Sequence, residues 1–142
     1  MKHLFLDTNI ILDFLTERLP HYTLANEIFL KASNKEICIY TSSLSLANCF
    51  YILGSQYKFD RSTLNSVVKD LLKIIKVTDM TGDNVHSALD SEFKDFEDAL
   101  QNFSAINNAD ISIIITRDKK HFTTSSLIVQ TPQEFLEIND NK

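Results

Sequence analysis

Glycine is scarce in this chain, with only Gly54 and Gly82 among 142 residues. Loops that cradle phosphates need several glycines, so that backbone N–H groups can approach the ligand. Neither a GxGxxG nor a GxxxxGK pattern occurs, so Rossmann dinucleotide binding and P-loop nucleotide hydrolysis lack their motifs. Cysteine is equally rare. Cys38 and Cys49 have no CxxC spacing, and His3, His21, His86 and His121 are scattered, which leaves no zinc pattern. All six are expected to be packed or exposed side chains, with both thiols free. No apolar run approaches the ~20 residues that span a bilayer. The N-terminus lacks a charged head, a long apolar middle and a cleavage site, so the expectation is a cytoplasmic protein with no membrane partner. An excess of positive charge is missing as well. Fourteen Lys and Arg against nineteen Asp and Glu give a net charge of −5. That argues against a clamp that grips nucleic acid by phosphate neutralisation alone. It is compatible with an enzyme whose acids hold cations, because bound ions reverse the local field.

What is present suits one domain over residues 1–142, with 44% apolar and 23% charged residues and no linker, repeat or low-complexity tract. Residues 2–6 read as a strand and 8–16 as a short helix ending before Pro20. Residues 21–34 form a helix with Leu24, Ala25, Ile28, Phe29 and Ala32 on one face. Residues 36–41 read as a second strand. Ser42 or Ser43 caps a helix over 44–57 whose expected buried stripe is Leu46, Ala47, Phe50, Tyr51 and Gly54. Asp60 or Ser62 caps the next helix, where Leu64, Val67, Val68, Leu71, Leu72 and Ile75 recur at helical spacing. A short strand over 76–79 and a short helix over 83–90 follow. Residues 95–107 are helical, with Phe96, Ala99, Leu100, Phe103 and Ile106 expected to face inward. Residues 111–115 are an almost continuous β-branched strand, as in a parallel sheet covered on both faces. Residues 127–129 are a weaker strand, and Thr131-Pro132 starts a final helix. Alternating strands and helices imply an α/β three-layer sandwich with a central, mostly parallel sheet flanked by helices.

The acids carry the chemistry. Asp7 directly follows the first strand, and Asp118 follows the strongest one in Thr116-Arg117-Asp118. Asp95 and Asp98 share one face of a helical first turn, with Glu97 on the other side. Each has an ordinary reading: a cap for Asp7, favourable charge at a helix N-terminus for Asp95 and Asp98, a turn for Asp118. Together they describe two strand ends and one helix start converging on the carboxyl edge of a sheet, where open α/β folds bind ligands. Mutually repelling carboxylates brought together call for a cation. Oxygen-only ligands select Mg²⁺ or Mn²⁺. Such an ion suits phosphodiester hydrolysis, by activating water and, with a second ion about 4 Å away, by stabilising the leaving oxygen.

These residues resemble the PIN-domain family, Mg²⁺-dependent ribonucleases that include the toxin halves of VapBC-type toxin–antitoxin pairs. The resemblance covers essentially the whole chain. Leu6-Asp7-Thr8-Asn9-Ile10-Ile11-Leu12-Asp13 is similar to the family's first motif. Asp95-Phe96-Glu97-Asp98-Ala99-Leu100-Gln101, with Ala105, is similar to its third, and Ile114 to Phe122 to its last. The resemblance implies that Asp7, Asp98 and Asp118 are the metal-binding, catalytic acids and Asp95 an auxiliary ligand. It makes Asn9 and Thr116 polar supports. It also implies an RNA substrate, an antitoxin partner and a homodimer. Arg117, Lys119 and Lys120, with His121, sit beside Asp118 as RNA-backbone contacts, a solvated surface run being the alternative.

One position departs from the family pattern. The usual glutamate on the helix after the second strand is Asn48 here. Its amide oxygen can meet a metal or its water shell but brings no charge, which predicts weaker metal affinity and one ion rather than two. An ordinary polar residue at a helix edge is the other reading of Asn48. The departure keeps open a second class of function, a catalytically weak or silent PIN-like module that binds RNA or protein. Two further folds fit poorly. A haloacid-dehalogenase-like phosphatase needs a second aspartate where Asn9 stands. A receiver domain needs an acidic pair after the first strand, where Asp7 is followed by Thr8.

Overall fold

The chain begins in the middle of its sheet. β1 (Lys2–Leu6) leads through α1 (Thr8–Leu15) and α2 (Tyr22–Ser33) to β2 (Ile37–Ser42). Then α3 (Ser43–Ser55) and α4 (Arg61–Leu71) carry it outward to β3 (Ile75–Thr78). After α5 (Gly82–Asp90) and α6 (Phe96–Ile106) it returns to the other side of β1 as β4 (Ile113–Ile115), and ends with β5 (Ile128–Gln130) and α7 (Pro132–Asp140). A single 3₁₀ turn, Lys119–Phe122, lies between β4 and β5. The computed structural model describes residues 1–140, and side chains up to residue 138.

The strand order is β3-β2-β1-β4-β5, and every pairing is parallel. Phe5 pairs with both Tyr40 and Ile114, and Leu6 pairs with Ile115, so β1 and β4 end side by side. The direction of winding reverses between these two strands, which opens a crevice at their carboxyl ends. Alternation along β1 sends Leu4 and Leu6 to one face and Phe5 to the other. The first face packs Ile10, Ile28, Phe29, Cys49, Leu53, Leu64 and Phe135 from the helices α1, α2, α3, α4 and α7. The second packs Ala105 of α6, with Ile111 and Phe122. These are the three layers expected of the α/β sandwich.

The helix starts follow local chemistry. Ser42 accepts from Ser45 N–H and Asp60 from Thr63 N–H, each an N-cap. Thr131 and Glu134 form a reciprocal capping box for α7.

Two buried faces differ from the periodicity. In α3 the buried residues are Ser45, Cys49 and Leu53, whereas Tyr51 is 73% exposed. In α6 they are Ala99, Gln101, Asn102, Ser104 and Ala105, and Phe96 and Ile106 are exposed. In both helices polar side chains enter the interior because they find partners there. Gln101 bonds Ser42 and Ser45, Asn102 accepts from Ser125, and Ser104 donates to the Asp79 carbonyl. Two strand boundaries also move. α4 stops at Leu71, which leaves Ile75 to open β3. β4 is limited to three residues, because Ile111 N–H turns back to the Asn108 carbonyl instead of joining the ladder.

Candidate metal centre

Asp7 continues β1 by one residue: its N–H donates to the Ile115 carbonyl at 2.9 Å. One carboxylate oxygen caps α1 by accepting from Thr8 N–H at 2.8 Å. The other accepts from the Thr116 hydroxyl at 2.8 Å. Thr116 is buried directly after β4, and its oxygen also accepts from Asp118 N–H at 3.1 Å. One hydroxyl therefore fixes both strand-end acids. Asn9 completes this side, with Nδ2 3.5 Å from Asp118 Oδ2. Its Oδ1 is buried and accepts no hydrogen bond.

The first turn of α6 brings the remaining acids. Asp95 is the N-cap and accepts from Asp98 N–H at 3.3 Å. The Asp98 side chain is 17% exposed, with Oδ2 3.5 Å from His121 Nδ1. Glu97 is exposed, as helical spacing suggests, and its Oε1 accepts a hydrogen bond from Asn48 Nδ2 of α3, which passes close to the start of α6 on that flank.

A buried relay braces these elements from below. Ser42 donates to Gln101 Oε1 at 2.5 Å, Gln101 Nε2 donates to Ser45 Oγ at 2.8 Å, and Ser45 meets Thr8 Oγ1 at 2.8 Å. It ties β2, α3, α6 and the first turn of α1 together behind the acids.

The electrostatics record the crowding. Burial pushes the Asp7 carboxyl up, the Thr116 and Thr8 hydrogen bonds pull it down, and the charges of Asp118 and Glu97 raise it again. Asp98 is pushed up to about 7, first by burial, then by Asp95 and Asp7, with a smaller contribution from Glu97. Two carboxyls that resist ionisation on one sheet edge are a structural cost that a cation relieves. Among the described residues, no three His, Cys, Asp or Glu side chains are already gathered round one point for an ion. Asp98 is turned to His121, and Asp118 to Asn9. The donor chemistry nevertheless fits a hard divalent cation, being all oxygen and strongly negative, with the unpartnered Asn9 oxygen beside it.

The family model described as PIN domain matches residues 3–120. The chain belongs to the PIN-domain family. Three solved structures share the fold. VapBC2 from Rickettsia felis, bound to a DNA fragment from its promoter, is 20% identical with a TM-score of 0.64, covering 91% of this chain and 98% of that one. A toxin–antitoxin complex from Klebsiella pneumoniae is 19% identical with a TM-score of 0.61, covering 91% and 97%. VapC20 from Mycobacterium tuberculosis, a sarcin–ricin loop cleaving toxin, is 18% identical with a TM-score of 0.58, covering 78% and 86%. No curated protein matches the chain in sequence.

In this PIN domain the basic residues beside Asp118 divide into two groups. Arg117 is not free to face a ligand, because its guanidinium holds the buried Asp13 at 2.7 Å. Lys119 pairs with Glu134 at 3.0 Å. Both therefore meet acids of the fold in this structure, Lys119 in a half-exposed surface pair. Lys120 and His121, with Lys94 and Phe93, line a groove of about 580 Å³ that runs from Asp95 and Asp98. Periodicity missed Lys94 and the Thr8–Ser45–Gln101–Ser42 relay. Only the relay left a trace in the sequence, as small hydroxyl residues clustered at the start of two helices. Among the described residues, no helix is long and apolar enough to cross a membrane.

Proposed function

We propose that this PIN domain is a Mg²⁺- or Mn²⁺-dependent ribonuclease, the toxin of a toxin–antitoxin pair acting in the cytoplasm. The observation that carries the reading is the convergence of Asp7, Asp98 and Asp118 on one sheet edge, with Asp98 held partly unionised by burial and its neighbours. When bound, the ion supplies an activated water and positive charge at the phosphate. The chain's own residues do the positioning. Thr116 aligns Asp7 with Asp118, Asn9 steadies Asp118, and Asp95 fixes the first turn of α6 and with it Asp98. Lys120, Lys94 and His121 offer positive charge to the phosphates flanking the scissile bond. The RNA-cleaving and toxin–antitoxin relatives support the substrate and an antitoxin partner. A homodimer is part of the same proposal, and the exposed Tyr51 and Leu89 suit a protein contact.

The test is RNA cleavage under Mn²⁺ or Mg²⁺ titration, with wild type, Asp7→Asn and Asp98→Asn. Cleavage is expected from wild type alone and only with metal. Cleavage that persists in EDTA, or in both variants, overturns the mechanism. Asn48, an amide in place of the family's glutamate, favours a second reading, a silent RNA- or protein-binding module. Wild type that binds RNA without cutting it, while Asn48→Glu cuts, selects that reading.

A further inference from the structure

β1, β2 and β3 are neighbours in the sheet, and their amino ends lie on the edge opposite Asp7 and Asp118. A groove of about 520 Å³ opens at that edge, with Ile37 and Ile74 in its lining. Lys35 just before β2, Lys73 just before β3 and Lys76 within β3 also line it, and all three are exposed. Among the described residues, no carboxylate lines it. Asp70 reaches Lys73 at 3.1 Å, but both side chains are exposed and water screens the pair. Helix C-termini favour the charges of Lys35 and Lys73, after α2 and α4, but not that of Lys76 inside a strand. The Lys76 ammonium sits over the Tyr40 ring, 5.8 Å from its centre. Lys35 occupies a position that suits glycine. Its φ is 60°, and its N–H and that of Glu36 close the end of α2 on the Ala32 and Lys31 carbonyls. A lysine is kept there despite the strain, and it lines the groove.

The groove beside Asp98 has the opposite balance. There Lys94 and Lys120 are outnumbered by Glu92, Asp95 and Asp98. A polyanion gains little from such a surface. A chain of net charge −5 that holds RNA needs a positive field elsewhere, and the amino edge of the sheet supplies one. We propose that this groove anchors the RNA backbone away from the scissile bond, with Lys35, Lys73 and Lys76 taking its phosphates. Lysine suits the task as a compact point charge that reads no base. The five residues of β1 set the anchor about 17 Å from Asp7, at about 3.3 Å per residue. The RNA must therefore be long enough to occupy both edges of the sheet. This deepens the ribonuclease reading and rests on it.

The experiment measures binding of a single-stranded RNA of about 30 nucleotides to the purified full chain, in EDTA and at several salt concentrations. The variant is Lys35→Gln/Lys73→Gln/Lys76→Gln, which keeps the side-chain stems, and thermal melts confirm that it folds. The slope of log affinity against log salt is expected to fall by about two units, and affinity at low salt by roughly tenfold or more. Lys58→Gln, at an exposed lysine that does not line the groove, should change neither by more than a fraction of that. Under Mn²⁺, the triple variant should raise KM for the same RNA while kcat is retained, a split that a general loss of structure would not give. If the triple variant binds RNA with the affinity and slope of wild type while wild type still cuts it, this inference falls and the nuclease reading stands. If it loses binding of poly-L-glutamate but not of RNA, the groove belongs to an acidic protein segment and the inference falls as well. Binding that depends on the three lysines in a wild type that cuts nothing keeps the anchor and ends the nuclease reading. If wild type neither binds nor cuts RNA, both fall together.

Discussion

Arg117 Nε lies 2.7 Å from Asp13 Oδ2, joining two residues 104 positions apart. Asp13 is 1% exposed and also accepts from Arg18 at 2.8 Å. A buried carboxylate with two guanidinium partners locks the end of α1 to the loop that carries Asp118. Breaking such an arrangement is costly, because it strands buried charge. Arg117→Ala is expected to destabilise the fold by about 1–2 kcal/mol, since Arg18 remains, and Asp13→Ala by about 2–3 kcal/mol. Urea melts check both.

The same contact separates two kinds of basic residue. If Arg117 serves the fold, Arg117→Ala leaves the salt dependence of RNA binding unchanged. Lys120→Ala, in the open groove beside Asp98, is expected to reduce the slope of log affinity against log salt by about one unit. Filter binding at several salt concentrations, in EDTA to prevent cleavage, reads the difference. An equal fall in slope for both would return Arg117 to the RNA surface.

Thr116 offers a test of the support beneath the acids. Its hydroxyl donates to Asp7 and accepts from the Asp118 amide, and the first of these bonds lowers the Asp7 pKa. Thr116→Val removes both while keeping the side-chain shape. The Asp7 carboxyl then rises further, so protons compete better with the metal. Mn²⁺ binding is expected to weaken near neutral pH and to recover as pH increases, with a stability loss of about 1–2 kcal/mol. A loss of binding that is the same at every pH would point instead to misplaced acids.

What the sequence made legible was local. Strand ends on Asp7 and Asp118, the caps at Ser42, Asp60 and Thr131, and the alternation of elements all depend on neighbours within a few residues. The buried faces of α3 and α6 were not legible, because hydrophobic spacing cannot reveal that Ser45, Gln101 and Ser104 find partners 25 to 56 residues away. Glu97, which a helical wheel gives to solvent, is exposed; what spacing could not reveal is its bond to Asn48, 49 residues away. Arg117 and Lys119 looked like a free basic run until Asp13 and Glu134 met them.

The relay behind the site makes a separate prediction. Gln101 is buried and its amide uses both ends, accepting from Ser42 and donating to Ser45. Gln101→Leu preserves volume but removes one hydrogen bond from each of two buried hydroxyls, Ser42 and Ser45, which keep their other partners. The expected loss is about 2 kcal/mol, for two buried hydrogen bonds at about 1 kcal/mol each. Because Ser45 also meets Thr8 in the turn after Asp7, metal affinity should fall as well. Gln101→Glu is the informative companion. It keeps the acceptor but adds a buried charge beside Asp7 and Asp98, and should be worse than Leu in EDTA.

The raised carboxyls set the last expectation, the response of the metal-free protein to pH. The folded Asp98 holds its proton up to about 7, whereas its ordinary value is 3.8. Between those values the folded state binds a proton that the unfolded chain releases. Its contribution to stability is therefore full below the ordinary value and is lost as pH rises through about 7. The upward shift of Asp7 acts in the same direction. In EDTA, the melting temperature should fall between pH 5.5 and 7.5, a window in which carboxylates with ordinary values no longer titrate. Saturating Mn²⁺ should flatten or reverse that slope, because the ion displaces the proton and binds the folded state. Asp98→Asn removes most of the fall in EDTA and loses the metal-dependent gain. A melting temperature that rises with pH in EDTA would show that these carboxyls ionise freely, and with that the electrostatic case for a cation at this edge would be lost.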